Sequence, residues 1–308
     1  MRTSLFPILT KLLVLTLLSA CSLFNFNKKI ETTFSVISDK KGSDTFSLSD
    51  RSGNFLVSRE FAFKKSTNEF ILKKSISLDS NPEKKQNSAS KKIVEKSITI
   101  STSGVLKKTI PALRPKISQY TVWFDGQKYF TEMKTNTKTK SLDITMRGPE
   151  LQWNGKKSVP FPPGMGIYCF FNQLVECIQA TSFFTKAAAA DSGMMNLHII
   201  WDGYPYLQEQ YLEMPAEVFT AAELSFDGYT ENDEIRFSLT FANQVIFYVF
   251  EHNGALAKMF WVSQGFSMIK RDSSTKDIAD DSVDKKTPTP SKFTEQPLDD
   301  PLADPFEE

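Results

Sequence analysis

DEIRFSLTFANQVIFYVFEHNGALAKMFWVSQGFSMI, residues 233–269, is the stretch on which the fold turns. Apolar residues recur at every second position in IRFSLTF, the period of a β-strand with one buried face, and VIFYVF and ALAKMFW follow it as short, nearly continuous apolar runs. The connections between the runs are short, and one contains Asn253-Gly254. Together with AELSFDG (222–228), they predict an up-and-down antiparallel meander that closes near residue 270.

Upstream the same period continues. FLVSREFAFKK from Phe55, EFILKKSISL from Glu69 and KIVEKSITIS from Lys92 each alternate. Between the last two, NPEKKQNSASKK (81–92) has no apolar face and reads as a mobile loop. Five dipeptides, Asp125-Gly126, Asn154-Gly155, Asp202-Gly203, Asp227-Gly228 and Asn253-Gly254, have the chemistry of two-residue hairpin turns. The first four positions are spaced by 29, 48 and 25 residues, which excludes the fixed period of a propeller. The expected fold is therefore mainly β: an antiparallel, curved meander sheet, half-barrel or open barrel, with one or two short helices.

The helix candidates are residues 182–191, rich in alanine, and the segment around YCFFNQLVEC (168–177). Ile167, Phe170, Phe171, Leu174, Val175 and Ile178 form a helical stripe. In one unbroken helix, however, Cys169 and Cys177 would stand about 12 Å apart along the axis, beyond the roughly 7 Å reach of a disulfide. The two are compatible if the helix begins later, with Asn172 as its N-cap and Cys169 in the preceding chain.

The N-terminus decides the redox compartment. MRTSLFPILTKLLVLTLLSAC has flanking cations at Arg2 and Lys11 and a short apolar core, the layout of a secretory signal peptide rather than a membrane span. Its last four residues, Leu18-Ser19-Ala20-Cys21, resemble the lipobox of bacterial lipoproteins. The resemblance implies that residues 1–20 are removed and that Cys21 is diacylated, a palmitate-type anchor to a membrane. Ser22, where an Asp would imply inner-membrane retention, favours the outer membrane. In that oxidising envelope, Cys169 and Cys177 are the expected disulfide pair. The loop of about nine residues that it closes corresponds to roughly 2.5 kcal/mol of chain entropy.

Residues 21–31 then read as a tether, 32–270 as one β-rich body with a subdomain break near residue 160 as the alternative, and 271–308 as an acidic, Pro-containing disordered tail. The tail ends in three tetrapeptides, PLDD, PLAD and PFEE, that place Leu298, Leu302 and Phe306 in register for docking into a partner's groove. The formal net charge of +1 conceals a division. Residues 22–160 carry 26 Lys and Arg against 13 Asp and Glu, whereas 161–270 carry 4 against 12. The halves can pair internally, or the basic half can face anionic head groups. Nucleic acid is not expected in this compartment.

Catalytic signatures are missing. No HExxH, GxSxG, SxxK or phosphate-cradling loop occurs. His198 lies in a strand-like run on the face opposite Leu197, Ile199 and Trp201, and His252 adjoins a turn. Two cysteines without further ligands predict no metal, and no cofactor is implied. Asp202, Glu209 and Glu213 are the candidate carboxylates of a glycan or peptide hydrolase. The clustered aromatic and Met residues at 160–171, 193–206 and 258–266 read instead as core, part of it able to line an apolar groove. The layout of lipid anchor, basic β-rich half and closing meander resembles envelope lipoproteins with a half-barrel, the outer-membrane lipoprotein carriers and receptors. That likeness implies a non-catalytic binding or assembly module for a lipid or envelope-protein partner, with a hydrolase as the alternative.

Overall fold

The computed structural model describes residues 37–79, 92–106, 110–164 and 166–271. The chain divides into two compact units, Met1–Arg271 and Asp272–Glu308, and all the described residues belong to the first. Cys21 and the tether, nearly all of the loop at 81–92, and the tail with Leu298, Leu302 and Phe306 lie outside them.

Among the described residues, fifteen strands form one sheet. The first eight are a meander: β1 (Lys41–Asp50), β2 (Gly53–Lys64), β3 (Glu69–Leu78), β4 (Ile93–Leu106), β5 (Ile110–Phe124), β6 (Gln127–Asn136), β7 (Ser141–Arg147) and β8 (Gly155–Pro160). The chain then crosses to the other edge of the sheet, where β9 (Tyr168–Phe170) lies parallel to β10 (Met194–Ile200). The crossover between them carries α1 (Leu174–Ala180) and α2 (Phe183–Ala190). A third helix, α3 (Tyr206–Gln210), precedes a returning meander of β11 (Phe219–Tyr229), β12 (Ile235–Phe241), β13 (Gln244–Phe250), β14 (Leu256–Trp261) and β15 (Phe266–Lys270). β15 pairs with β1, Phe46 opposite Lys270 and Leu48 opposite Met268. First and last strands thus meet in the middle of the sheet, and residue 160 sits at one edge of it.

The curved antiparallel meander agrees with the alternation. In β12, Ile235, Phe237, Leu239 and Phe241 are buried while the residues between them are less so, and β13 continues the pattern with Ile246 and Tyr248. Burial of one such side chain contributes roughly 1.5–3 kcal/mol. The single departure from antiparallel order is the β9–β10 pair, which needs the helical crossover because parallel neighbours cannot be joined by a hairpin.

The turns require correction. Only Asp125-Gly126, with φ of 48° and 80°, is a two-residue hairpin turn of the expected kind. Asp227-Gly228 lies inside β11 at a bulge opposite β12. Asn154 clamps its own loop, its Nδ2 donating to the Gly148 carbonyl at 2.7 Å and to the Glu150 carbonyl at 2.8 Å. Asn253 stabilises a longer loop by accepting from the Ala255 amide at 2.7 Å. Asp202-Gly203 joins no strands at all. Conversely, Ala242-Asn243 turns β12 into β13 with φ of 42° and 63°, a conformation Ala adopts only where the flanking strands impose it.

Residues 168–178 are not one helix. Tyr168–Phe170 is strand, Phe171–Gln173 a single 3-10 turn, and α1 starts only at Leu174. Cys169 in β9 therefore folds back on Cys177 in α1, their Cα atoms 5.8 Å apart and their sulfurs at bonding distance. Asn172 is not the N-cap. Gln173 holds that position without a side-chain cap, and Asn172 turns its amide elsewhere.

Candidate functional site

The buried side of the sheet is not uniformly apolar. Charged residues occupy positions in register with the apolar ones: Arg59 follows Phe55 and Val57 in β2, Lys74 follows Phe70 and Leu72 in β3, and Glu95 precedes Ser97 and Thr99 in β4. Alternation on β4 is in fact inverted. Glu95, Ser97, Thr99 and Ser101 are buried, while Lys96 and Ile98 are exposed.

The reason is what lies against that wall. The 3-10 turn and α1 present polar groups to it, and each finds a partner. Arg59 Nη2 donates to Glu176 Oε1 at 2.7 Å, and Lys40 Nζ stands 3.8 Å from the same oxygen. Ser101 Oγ donates to Gln173 Oε1, and Gln173 Nε2 donates to the Phe70 carbonyl at 3.3 Å. Lys74 bridges two groups, Glu95 Oε1 at 2.7 Å and Asn172 Oδ1 at 2.6 Å. Tyr120 donates its hydroxyl to Glu95 Oε2 at 3.0 Å. Lys40 and Arg59 thus share Glu176, with Asp44 at 4.0 Å from Arg59, and Lys74 pairs with Glu95. Part of the basic half thereby pairs with the acidic half internally.

Asp202 is fully buried. It accepts from the Asn172 amide N–H at 3.2 Å and Nδ2 at 3.0 Å, and from the hydroxyls of Ser118 and Thr99 at 3.2 and 3.3 Å. Burial raises its pKa, partly offset by the Asn172 bonds. Burial acts the same way on Glu176, but the Arg59 and Lys40 charges prevail and hold its carboxyl below the ordinary value. The chain beside Asp202 is tightly packed: a Cβ on Gly203 would stand 3.1 Å from the Tyr120 ring and from Leu207 Cβ.

Above this belt lies a cavity of about 80 Å³. Arg59, Lys74, Glu95 and Asn172 form its polar end. The rest is apolar, with Val175 of α1, Leu256, Met259 and Met268 on the meander side and Phe171, Tyr211, Trp261 and Phe266 as an aromatic wall. Those rings touch: Phe171 and Trp261 centroids are 5.9 Å apart, and Tyr211 stacks on Trp261 at 5.1 Å. Burial pushes the Tyr211 and Tyr248 phenols up, so both remain neutral. One water needs roughly 10–15 Å³ of such space and two to four polar partners. A mainly apolar void of this size forfeits dispersion contacts along its lining, which an apolar ligand would restore.

The carboxylate trio does not assemble. Asp202 is enclosed under Asn172, whereas Glu209 and Glu213 are exposed. His198 packs against Tyr168, ring centroids 5.0 Å apart, and burial lowers its pKa. Among the described residues no group of three or more His, Cys, Asp or Glu is arranged to hold a metal ion, and no helix is long and apolar enough to cross a membrane. Sequence reasoning missed Arg59, Lys74, Glu95 and Glu176. The available signal was a charged residue in step with an apolar face.

No family model matches the chain, and no curated protein sequence matches it. Among solved structures, the crystal structure of a β-barrel-like protein of the domain of unknown function DUF1849 from Brucella abortus is similar, with a TM-score of 0.39 and 9% identity over 74% of this chain and 94% of that one.

Proposed function

We propose that this chain is a lipid-anchored lipoprotein of the cell envelope, held at the outer membrane through Cys21, whose curved sheet binds the acyl part of a lipid without transforming it. The observation that carries the reading is the cavity of about 80 Å³, apolar along the meander and charged at one end. The Leu, Met and aromatic lining suits the tip of an acyl chain, of which a void about half the volume of one that holds benzene admits only a few carbons. Met259 and Met268 supply adaptable packing around that tip.

The polar belt supports binding rather than hydrolysis. Asp202 is committed to four hydrogen bonds and Glu95 to Lys74 and Tyr120, so neither carboxylate is presented to a substrate with a second one beside it. The test is to purify the mature protein from native membranes, extract it under denaturing conditions and analyse the extract by mass spectrometry. A lipid recovered in about equimolar amount, and lost when the cavity is filled by substitution, supports the reading. Protein that emerges lipid-free from gentle extraction and takes up no lipid from vesicles overturns it.

A further inference from the structure

The inverted alternation of β4 has a second side. Ile98 and Ile100 point away from the polar belt, and on that outer face the register sets Ile100 between Ile71 of β3 and Ile117 of β5. Ile98 is 37% exposed, the other three are partly exposed, and none of the four belongs to the core. Four isoleucines on adjacent strands make a continuous aliphatic strip on the convex side of the sheet.

Cations surround it. Lys73 is the direct cross-strand neighbour of Ile98 on β3, and Lys96 lies two residues along β4, within 5.9 Å of the Trp123 ring centroid. Lys41 and Lys64 continue the exposed positive charge across β1 and β2. Acidic residues on this face are mostly engaged: Lys116 pairs with Glu69 and, at 2.6 Å, Lys134 with Glu132. Glu60, opposite Lys73, is exposed. The strip thus lies within the half of the chain whose net charge is +13, 26 Lys and Arg against 13 Asp and Glu over residues 22–160. In contrast to Arg59, Lys40 and Lys74, which pair with Glu176 or Glu95 inside, Lys73 and Lys96 make no ion pair with any described carboxylate.

We infer that the convex face of β3–β5 docks on an anionic lipid surface, with Lys73 and Lys96 over the head groups and the isoleucines at the boundary with the acyl region. Charge complementarity selects this occupant. A neutral bilayer would gain nothing from the lysines, whereas an anionic one attracts each by about 1 kcal/mol, and partly exposed Ile adds apolar contact that charge alone does not provide. The face is distinct from the cavity, and its binding does not depend on what the cavity holds.

The experiment uses residues 22–308, without acylation, and vesicles of phosphatidylcholine with or without phosphatidylglycerol. Binding is measured by co-sedimentation. Wild type is expected to bind only the phosphatidylglycerol vesicles. Binding should weaken as salt rises from about 0.1 to about 1 M, where the screening length falls from about 10 Å to about 3 Å. Lys73→Gln with Lys96→Gln should lower the partition coefficient about 30-fold, the fold-change for two contacts of about 1 kcal/mol each. Ile98→Ser should lower it further without restoring binding to the neutral vesicles. The exposed Lys186→Gln on α2 serves as the control that leaves it unchanged. An unaltered urea midpoint shows that the variants are folded. Equal binding to both vesicle types, no binding, or a Lys73/Lys96 variant that binds as wild type overturns the proposal. Lipid occupancy of the cavity is scored separately in the same samples.

Discussion

Arg59 of β2 and Glu176 of α1 meet at 2.7 Å with side chains 7% and 1% exposed, so the ion pair that fastens the crossover helix to the sheet is almost completely removed from water. Its two members come from opposite halves of the chain, 117 residues apart. The helix is held against the wall by charge as well as by the Leu174 and Ile178 side chains that enter the core.

Breaking this pair from one side should be costly. Glu176→Leu leaves Arg59 and Lys40 without their shared carboxylate, and losses of about 3–5 kcal/mol accompany an uncompensated buried charge. Arg59→Met together with Glu176→Leu should be less destabilising than Glu176→Leu alone. Urea denaturation of the two variants against wild type tests this; additive or larger losses in the double variant would show that the pair is not energetically coupled.

Stability should depend on pH in two opposed ways. Asp202 has its pKa raised by burial, so the folded chain holds this proton more firmly than the unfolded chain. Between the ordinary carboxylate value and the raised one, its contribution falls as pH rises. Glu176 has its pKa lowered, because Arg59 and Lys40 outweigh its burial. Its contribution is present above the ordinary value and is lost as pH falls through the folded one. Asp202→Asn cannot titrate and should lack the first effect while keeping the second. Urea midpoints from about pH 3 to about pH 7, over which carboxylates titrate, should therefore decline less toward neutrality in the variant than in wild type.

The Cys169–Cys177 bridge closes a loop of about nine residues, so its loss should cost roughly 2.5 kcal/mol. A thiol titration of the denatured, unreduced chain beginning at Ser22 should find no free cysteine. Cys177→Ser, which also places a hydroxyl in the core, should lower the urea midpoint by at least that much. Two titratable thiols in the unreduced protein would remove the bridge from the account.

How much of this was legible follows from which signals are local. The strand period in FLVSREFAFKK and IRFSLTF is local, and it revealed the class of fold. What it could not reveal is which face of KIVEKSITIS points inward. An isoleucine face is ordinarily the buried one, yet here the interior beneath β4 is polar because Gln173, Asn172 and Asp202 lie against it. That preference is set by residues 72 and 103 positions away. Asp202 was misread for a related reason. Asp-Gly has turn chemistry wherever it occurs, but the Asp202 side chain accepts from Asn172 rather than from its own turn. Cys169 and Cys177 were readable because their spacing and the helical stripe conflict, and the observed break at Phe171–Gln173 resolves that conflict.

Ligand entry into the cavity should be visible through Trp261, one of four tryptophans in the chain and part of the cavity wall. A fatty acid brominated along its chain is expected to quench Trp261, while the Trp261→Phe variant should lose most of the quenching and retain binding. Val175 lies on the opposite, helical side of the same space. Val175→Phe fills part of a void of about 80 Å³, which restores dispersion contacts to the lining and should leave the empty protein as stable as wild type or more so. It should also reduce uptake of the brominated chain, because the ring then occupies the volume the acyl group needs. A variant that is destabilised and still binds normally would place the acyl chain outside this cavity. Quenching unchanged by Trp261→Phe would do the same, since Trp123, Trp153 and Trp201 do not line it.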